Sequence, residues 1–135
     1  MNSYSGSCFC GEVRYKINSE ILNAVNCHCA FCRSHSGAAF STYAVFPQAS
    51  LEITKGEDKL TCFQADEGRK YFCGVCGTPV FNLNNRYPGV CIMYFGTLEN
   101  AKTISPAINA WCESKLGWVD ALSSLPSTAQ AVGRQ

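Results

Sequence analysis

The chain has few charges: Asp, Glu, Lys and Arg make up 16% of its 135 residues, and 11 basic against 10 acidic side chains leave a formal charge of +1. So even a balance supplies no basic face for nucleic acid and no acidic tail. No apolar run is long enough to span a bilayer, and residues 1–7 have neither a basic segment nor an apolar stretch, so they do not read as a secretion signal. No helical period is sustained before residue 115, no internal repeat is visible and no low-complexity linker divides the sequence. The expectation is one mainly β domain of short antiparallel strands at residues 1–121, with a poorly ordered tail of small polar residues at 122–135. It is expected to be soluble and cytoplasmic, without nucleic-acid or membrane partners; its oligomeric state is open.

What the chain does have is cysteine, ten of them. In a reducing compartment these stay thiols, and close C-x-C and C-x-x-C spacing then favours metal over disulfides. The densest stretch is Cys27-His28-Cys29-Ala30-Phe31-Cys32. A tight turn leading into the first turn of a helix would aim Cys27, Cys29 and Cys32 at one point, and soft tetrahedral sulfur ligation suits zinc. A second set combines Cys8 and Cys10 with Cys73 and Cys76, each pair bracketed by glycine. Four thiols fill a closed structural site; three leave a position for water or substrate. Two zinc ions are therefore expected, one structural and one catalytic and labile. His28 is an awkward fourth ligand because it lies between two others, and Cys62, Cys91 and Cys112 sit in strand-like contexts where a free thiol serves as a small hydrophobe.

Apolar and polar residues alternate at 13–17, with a turn at 18–20 and a second strand at 21–26 delivering the central motif. Residues 33–37 read as a polar loop or one helical turn ending at Gly37 in a left-handed conformation. Further strands are expected at 40–46, 51–53, 60–64, 70–72, 79–82 and 90–95, with an extended segment at 107–111. Arg33 could grip carboxylates through its guanidinium fork, and His35 could move a proton. Lys70 reads as a solvated surface charge, and Trp111 and Trp118 as core or rim aromatics.

Three blocks taken together, Gly-Ser-Cys-Phe-Cys-Gly-x-Val-Arg-Tyr at 6–15, Cys-His-Cys-x-x-Cys-Arg at 27–33 with Gly37, and Phe-Cys-x-x-Cys-Gly-Thr-Pro at 72–79, resemble the glutathione-dependent formaldehyde-activating family, and the likeness continues into residues 111–118. The resemblance implies a β-tent fold with two zinc ions and an activity joining glutathione to formaldehyde, more broadly a carbon–sulfur lyase. The chemistry of the residues supports the same class: a thiol entering beside a zinc held by Cys27, Cys29 and Cys32 would lose its proton and add to a small aldehyde, with Arg33 orienting glutathione carboxylates and a nearby hydroxyl or imidazole such as His35 protonating the new alkoxide. Asn109 stands where the family pattern has a histidine two residues before the late aromatic, and is expected on the substrate. A non-catalytic binding module of the centromere protein V kind is the alternative; a redox enzyme resembling type B methionine sulfoxide reductases, with Cys112 as nucleophile, ranks after it.

Overall fold

The structure is a computed structural model that describes residues 3–133. In β2 (Arg14–Ile17) Tyr15 and Ile17 are fully buried while Arg14 and Lys16 between them are exposed, the alternation of a strand with one wet face. β2 pairs antiparallel with β1 (Tyr4–Ser7) on one side and β5 (Leu51–Lys55) on the other, giving a three-stranded sheet. β1 was not expected, since residues 6–11 read as one knuckle. Its Gly6 lies opposite Tyr15, where any Cβ would run into the Tyr15 ring and the Thr97 carbonyl, so only glycine lets β1 lie this close.

The second sheet has seven strands in the order β10-β3-β4-β9-β8-β7-β6, namely β3 (Asn23–Cys27), β4 (Ser41–Pro47), β6 (Leu60–Ala65), β7 (Gly68–Cys73), β8 (Pro79–Asn84), β9 (Val90–Tyr94) and β10 (Ile108–Ala110). Among the described residues every pair is antiparallel except β10 with β3. The fold is mainly β, as the sequence indicates. The strand expected at 21–26 starts later and runs into Cys27, so the central motif begins inside the sheet rather than after it.

One face of the large sheet carries Ala44, Phe46, Phe81, Cys91 and Met93, which together with Val80 pack with Tyr15 and Ile17 of the small sheet and with Val13 just before it to make the main core. The register assigns the other face: Val25, Tyr43 and Tyr94 form one row, and Val45, Ile92, Asn82 and Lys70 another. This second face is not covered by the small sheet, and it carries the site.

The single α-helix among the described residues, α1 (Ala30–Ser36), sits at one end of that face. It runs for seven residues, longer than the loop or single turn expected, because both ends are capped: the Cys29 thiol accepts from the Cys32 amide at 3.2 Å, and Gly37, at φ 73°, returns its N–H to the Arg33 carbonyl. A 3-10 segment, Gly117–Ser124, carries the chain past residue 121, and residues 125–133 are exposed. No helix among the described residues is long and apolar enough to cross a membrane.

Candidate metal centre and active-site cleft

Two glycine-ended turns bring Cys8, Cys10, Cys73 and Cys76 together. In each, a left-handed glycine folds the backbone around a thiol: Gly11, at φ 81°, bonds back to the Cys8 carbonyl, and Gly77, at φ 80°, to the Cys73 carbonyl. The amides of Val13 and Val75 then donate to the Cys8 and Cys73 sulfurs at 3.3 and 3.4 Å. Thr78 links the two turns, its hydroxyl accepting from the Phe9 amide at 3.1 Å and contacting the Cys76 sulfur at 3.1 Å. That hydroxyl, with backbone amides, draws the Cys76 thiol down to about 5.

Sulfurs about a tetrahedral ion with 2.3 Å bonds stand roughly 3.8 Å apart. The Cys8–Cys10 and Cys10–Cys73 sulfurs are separated by 3.6 and 3.8 Å, so this set fits a metal ion with four thiolates.

Cys27, Cys29 and Cys32 converge as the sequence predicts, at the end of β3 and across the first turn of α1, all three sulfurs within 4.8 Å of one another. The Cys32 thiol donates to Cys27 at 3.4 Å, which holds Cys27 below the ordinary thiol range, while the same bond and burial push Cys32 up. The buried Tyr43 hydroxyl donates to Cys32 at 3.2 Å. Among the described residues no His, Asp, Glu or further Cys joins the three. His28 is 2% exposed with its ring turned away, Nε2 lying 3.3 Å from Asn109 Oδ1 and the ring tilted against Phe40 with centroids 4.8 Å apart. The donor set therefore fits a metal ion with one coordination position left over.

The three thiols stand at one end of a cleft of about 720 Å³ across the second face of the large sheet. Its floor is apolar, from Val25, Val45, Ile92 and Ile108. Trp111, held in a left-handed conformation at φ 58° and half exposed, stands on its rim. The wall facing β10 is polar: Arg69, Lys70, Asn82 and Asn84, with the Arg86–Glu67 ion pair at 3.5 Å.

The expected substrate-binding residues fall elsewhere. Arg33 Nη1 donates to the carbonyls of His28 and Ser114, at 2.8 and 2.6 Å, and the side chain lines a separate, open concavity with Leu116 and Trp118. Asn109 lies between Ile108 and Ala110, whose side chains line the cleft, so strand alternation turns it to the opposite face. There it accepts from Asn26 Nδ2 at 3.1 Å, and Asn26 in turn accepts from the Thr42 hydroxyl at 2.7 Å. His35 is closer to the chemistry: Nδ1 lies 3.2 Å from the Tyr94 hydroxyl, and burial, together with the Lys70 charge, lowers its pKa.

Three sequence readings need correction. Lys70 is not a solvated charge but 7% exposed, because its register opposite Asn82 puts it on the cleft face. Cys62 and Cys112 are exposed rather than serving as buried apolar side chains, whereas Cys91 is fully buried. Tyr43 and Asn82, which line the cleft, and Tyr94, which sits beside both, carried no signal beyond membership of apolar strands.

Residues 3–114 match the model of the family described as glutathione-dependent formaldehyde-activating enzyme. A protein of Halomonas elongata (strain ATCC 33173 / DSM 2581 / NBRC 15536 / NCIMB 2198 / 1H9), named "Putative glutathione-dependent formaldehyde-activating enzyme", is 24% identical over 123 residues, covering 85% of this chain and 78% of that protein. The crystal structure of a Rhodobacter sphaeroides protein shares the fold, with a TM-score of 0.65 and 24% identity over 78% of this chain and 99% of that one.

Proposed function

Because the chain belongs to the glutathione-dependent formaldehyde-activating enzyme family, we propose that it is a carbon–sulfur lyase that reversibly joins glutathione, or a similar small thiol, to a small aldehyde such as formaldehyde. The observation that carries this reading is the open set of three thiols at the end of a cleft. A purely structural metal site would be closed by a fourth ligand. On this reading the working domain is residues 1–121, followed by a tail at 122–135, and the protein acts in the cytoplasm, where its ten free cysteines stay reduced.

Cys8, Cys10, Cys73 and Cys76 would hold a structural zinc ion, and Cys27, Cys29 and Cys32 a catalytic one. Zinc bound to the three thiols would supply the stabilisation that keeps an incoming thiol deprotonated at neutral pH. The chain's own residues do the rest. Tyr43 hydrogen-bonds Cys32 and fixes the orientation of its sulfur. The apolar floor of Val25, Val45 and Ile92 excludes water from the reacting carbon. Arg69, which lines the cleft with no carboxylate partner among the described residues, binds a carboxylate of glutathione. Arg33 acts as a positioning residue, tying the helix that carries Cys32 to the loop at Ser114. His35, through the Tyr94 hydroxyl, connects the cleft to solvent for the proton that the alkoxide takes up.

The test compares wild type with Cys29→Ser in metal content and in thiol–aldehyde exchange followed by NMR against the uncatalysed background. The expected outcome is loss of one zinc equivalent together with loss of the protein-dependent exchange. Retention of full exchange after that zinc is lost would overturn the reading.

A further inference from the structure

The cleft holds a buried cation that none of the roles above uses. Lys70 is 7% exposed, and no carboxylate pairs with it among the described residues. An ammonium taken out of water without a counter-charge is a costly arrangement, and it persists where an anion is due to arrive. Its setting is built. Asn82, with its amide oxygen toward the lysine, accepts from Nζ at 3.2 Å and reaches the Tyr94 hydroxyl with its NH₂ at 3.2 Å. The Phe31 ring, from the helical turn between Cys29 and Cys32, lies 4.7 Å from Nζ. Asn82 and the Phe31 face thus steady the amine beside the thiol cluster, and a tetravalent ammonium with three N–H groups retains a donor for the cleft.

We infer that Lys70 is the oxyanion-binding residue of this cleft, its ammonium receiving the charge that develops on the aldehyde oxygen as the thiol sulfur adds. The inference rests on the carbon–sulfur reading above and names the residue that reading lacks. A sulfur lone pair forms the C–S bond, the carbonyl π pair moves onto oxygen beside Nζ, and the alkoxide takes from solvent a proton equivalent to the one the thiol released. In the reverse direction the same contact stabilises the alkoxide from which the C–S bond breaks. A fixed donor aimed at charge that the bound aldehyde lacks and that develops only as the C–S bond forms acts on kcat rather than on binding.

Steady-state exchange is measured for wild type, Lys70→Met and Lys70→Arg with formaldehyde and two thiols, glutathione and uncharged 2-mercaptoethanol, alongside zinc content. Lys70→Met is expected to lower kcat by about 10²–10³-fold with both thiols, to leave KM for glutathione and the zinc content unchanged, and Lys70→Arg to recover part of the loss. Asn82→Asp, which keeps the lysine but pairs it internally, is expected to lower kcat in the same two-thiol pattern, and it carries the test if Lys70→Met does not fold. A loss confined to glutathione with raised KM would make Lys70 a carboxylate anchor, and loss of zinc would make it a counter-charge for the thiolates; either overturns the inference. An active wild type with unchanged Lys70→Met and Asn82→Asp removes this inference alone, whereas a wild type inactive with both thiols removes the proposed function and this role with it.

Discussion

Tyr43→Phe deletes one oxygen atom. The hydroxyl donates to the Cys32 sulfur at 3.2 Å, and burial, with Tyr94 and Cys32 nearby, keeps the phenol far above its ordinary pKa, so it stays a donor throughout the working range. Phenylalanine keeps the edge-on contact with Tyr94, whose ring centroid is 5.0 Å away. A hydrogen bond to a charged acceptor contributes about 1.5–3 kcal/mol, which at 1.36 kcal/mol per decade is roughly 10–150-fold in affinity. That range matches the 10–100-fold typical of losing a partner that orients a metal ligand. Zinc affinity at the three-thiol site should therefore fall by about this factor, and affinity at the four-cysteine site should not change. Competition titration with a chromophoric chelator reads both sites in one experiment, the second serving as internal control. If the weaker zinc is bound as tightly in Tyr43→Phe as in wild type, or if both affinities fall together, the reasoning fails.

Three further outcomes are expected. Gly6→Ala drives a methyl group into the Tyr15 ring and the Thr97 carbonyl and disturbs the 2.7 Å Tyr15–Thr97 hydroxyl contact; overpacking of this kind costs about 3 kcal/mol, read as a fall of roughly 10 °C in Tm. His35 faces Phe31 on its own helix, Tyr94 on β9 and the charge of Lys70 on β7, and its pKa lies below 6.5 because of burial and that charge. Below pH 6.5 the unfolded chain takes up the proton first, so this residue's contribution to stability is lost as pH falls toward its folded pKa. Lys70→Met should move the NMR-observed His35 titration upward, and a titration that stays in place would show that the two charges do not interact.

The cysteine blocks were legible in the sequence because metal ligation is written in local spacing: Cys27, Cys29 and Cys32 lie within one turn of chain, and glycines mark both halves of the four-cysteine site. Strands with one wet face, such as the one holding Tyr15 and Ile17, were legible for the same reason. Which face of the large sheet a polar side chain occupies was not. Lys70 reads as a solvated charge and Asn109 as a substrate contact, yet one is buried beside the thiols and the other hydrogen-bonds on the far side, because their orientation depends on pairing with Asn82 and Asn26, distant in sequence. Arg33 misleads in another way. Its position beside Cys32 suggests substrate, but two backbone carbonyls occupy its guanidinium, one of them 81 residues away.

The two cysteine sets differ in how much chain must be folded before they exist. Cys27 and Cys32 are five residues apart, whereas Cys10 and Cys73 are separated by 63. Closing the longer loop costs entropy that only the folded sheets repay, so a metal ion on the four-cysteine set would bind the native state alone and convert its affinity into stability. The short set can form in a disordered chain and hold an ion there too. Metal bound to both states cancels in the difference, so occupancy at the three-thiol site raises the melting temperature by less than its affinity implies. An ion there would exchange, and the site would open to a substrate, while the fold around it stays intact.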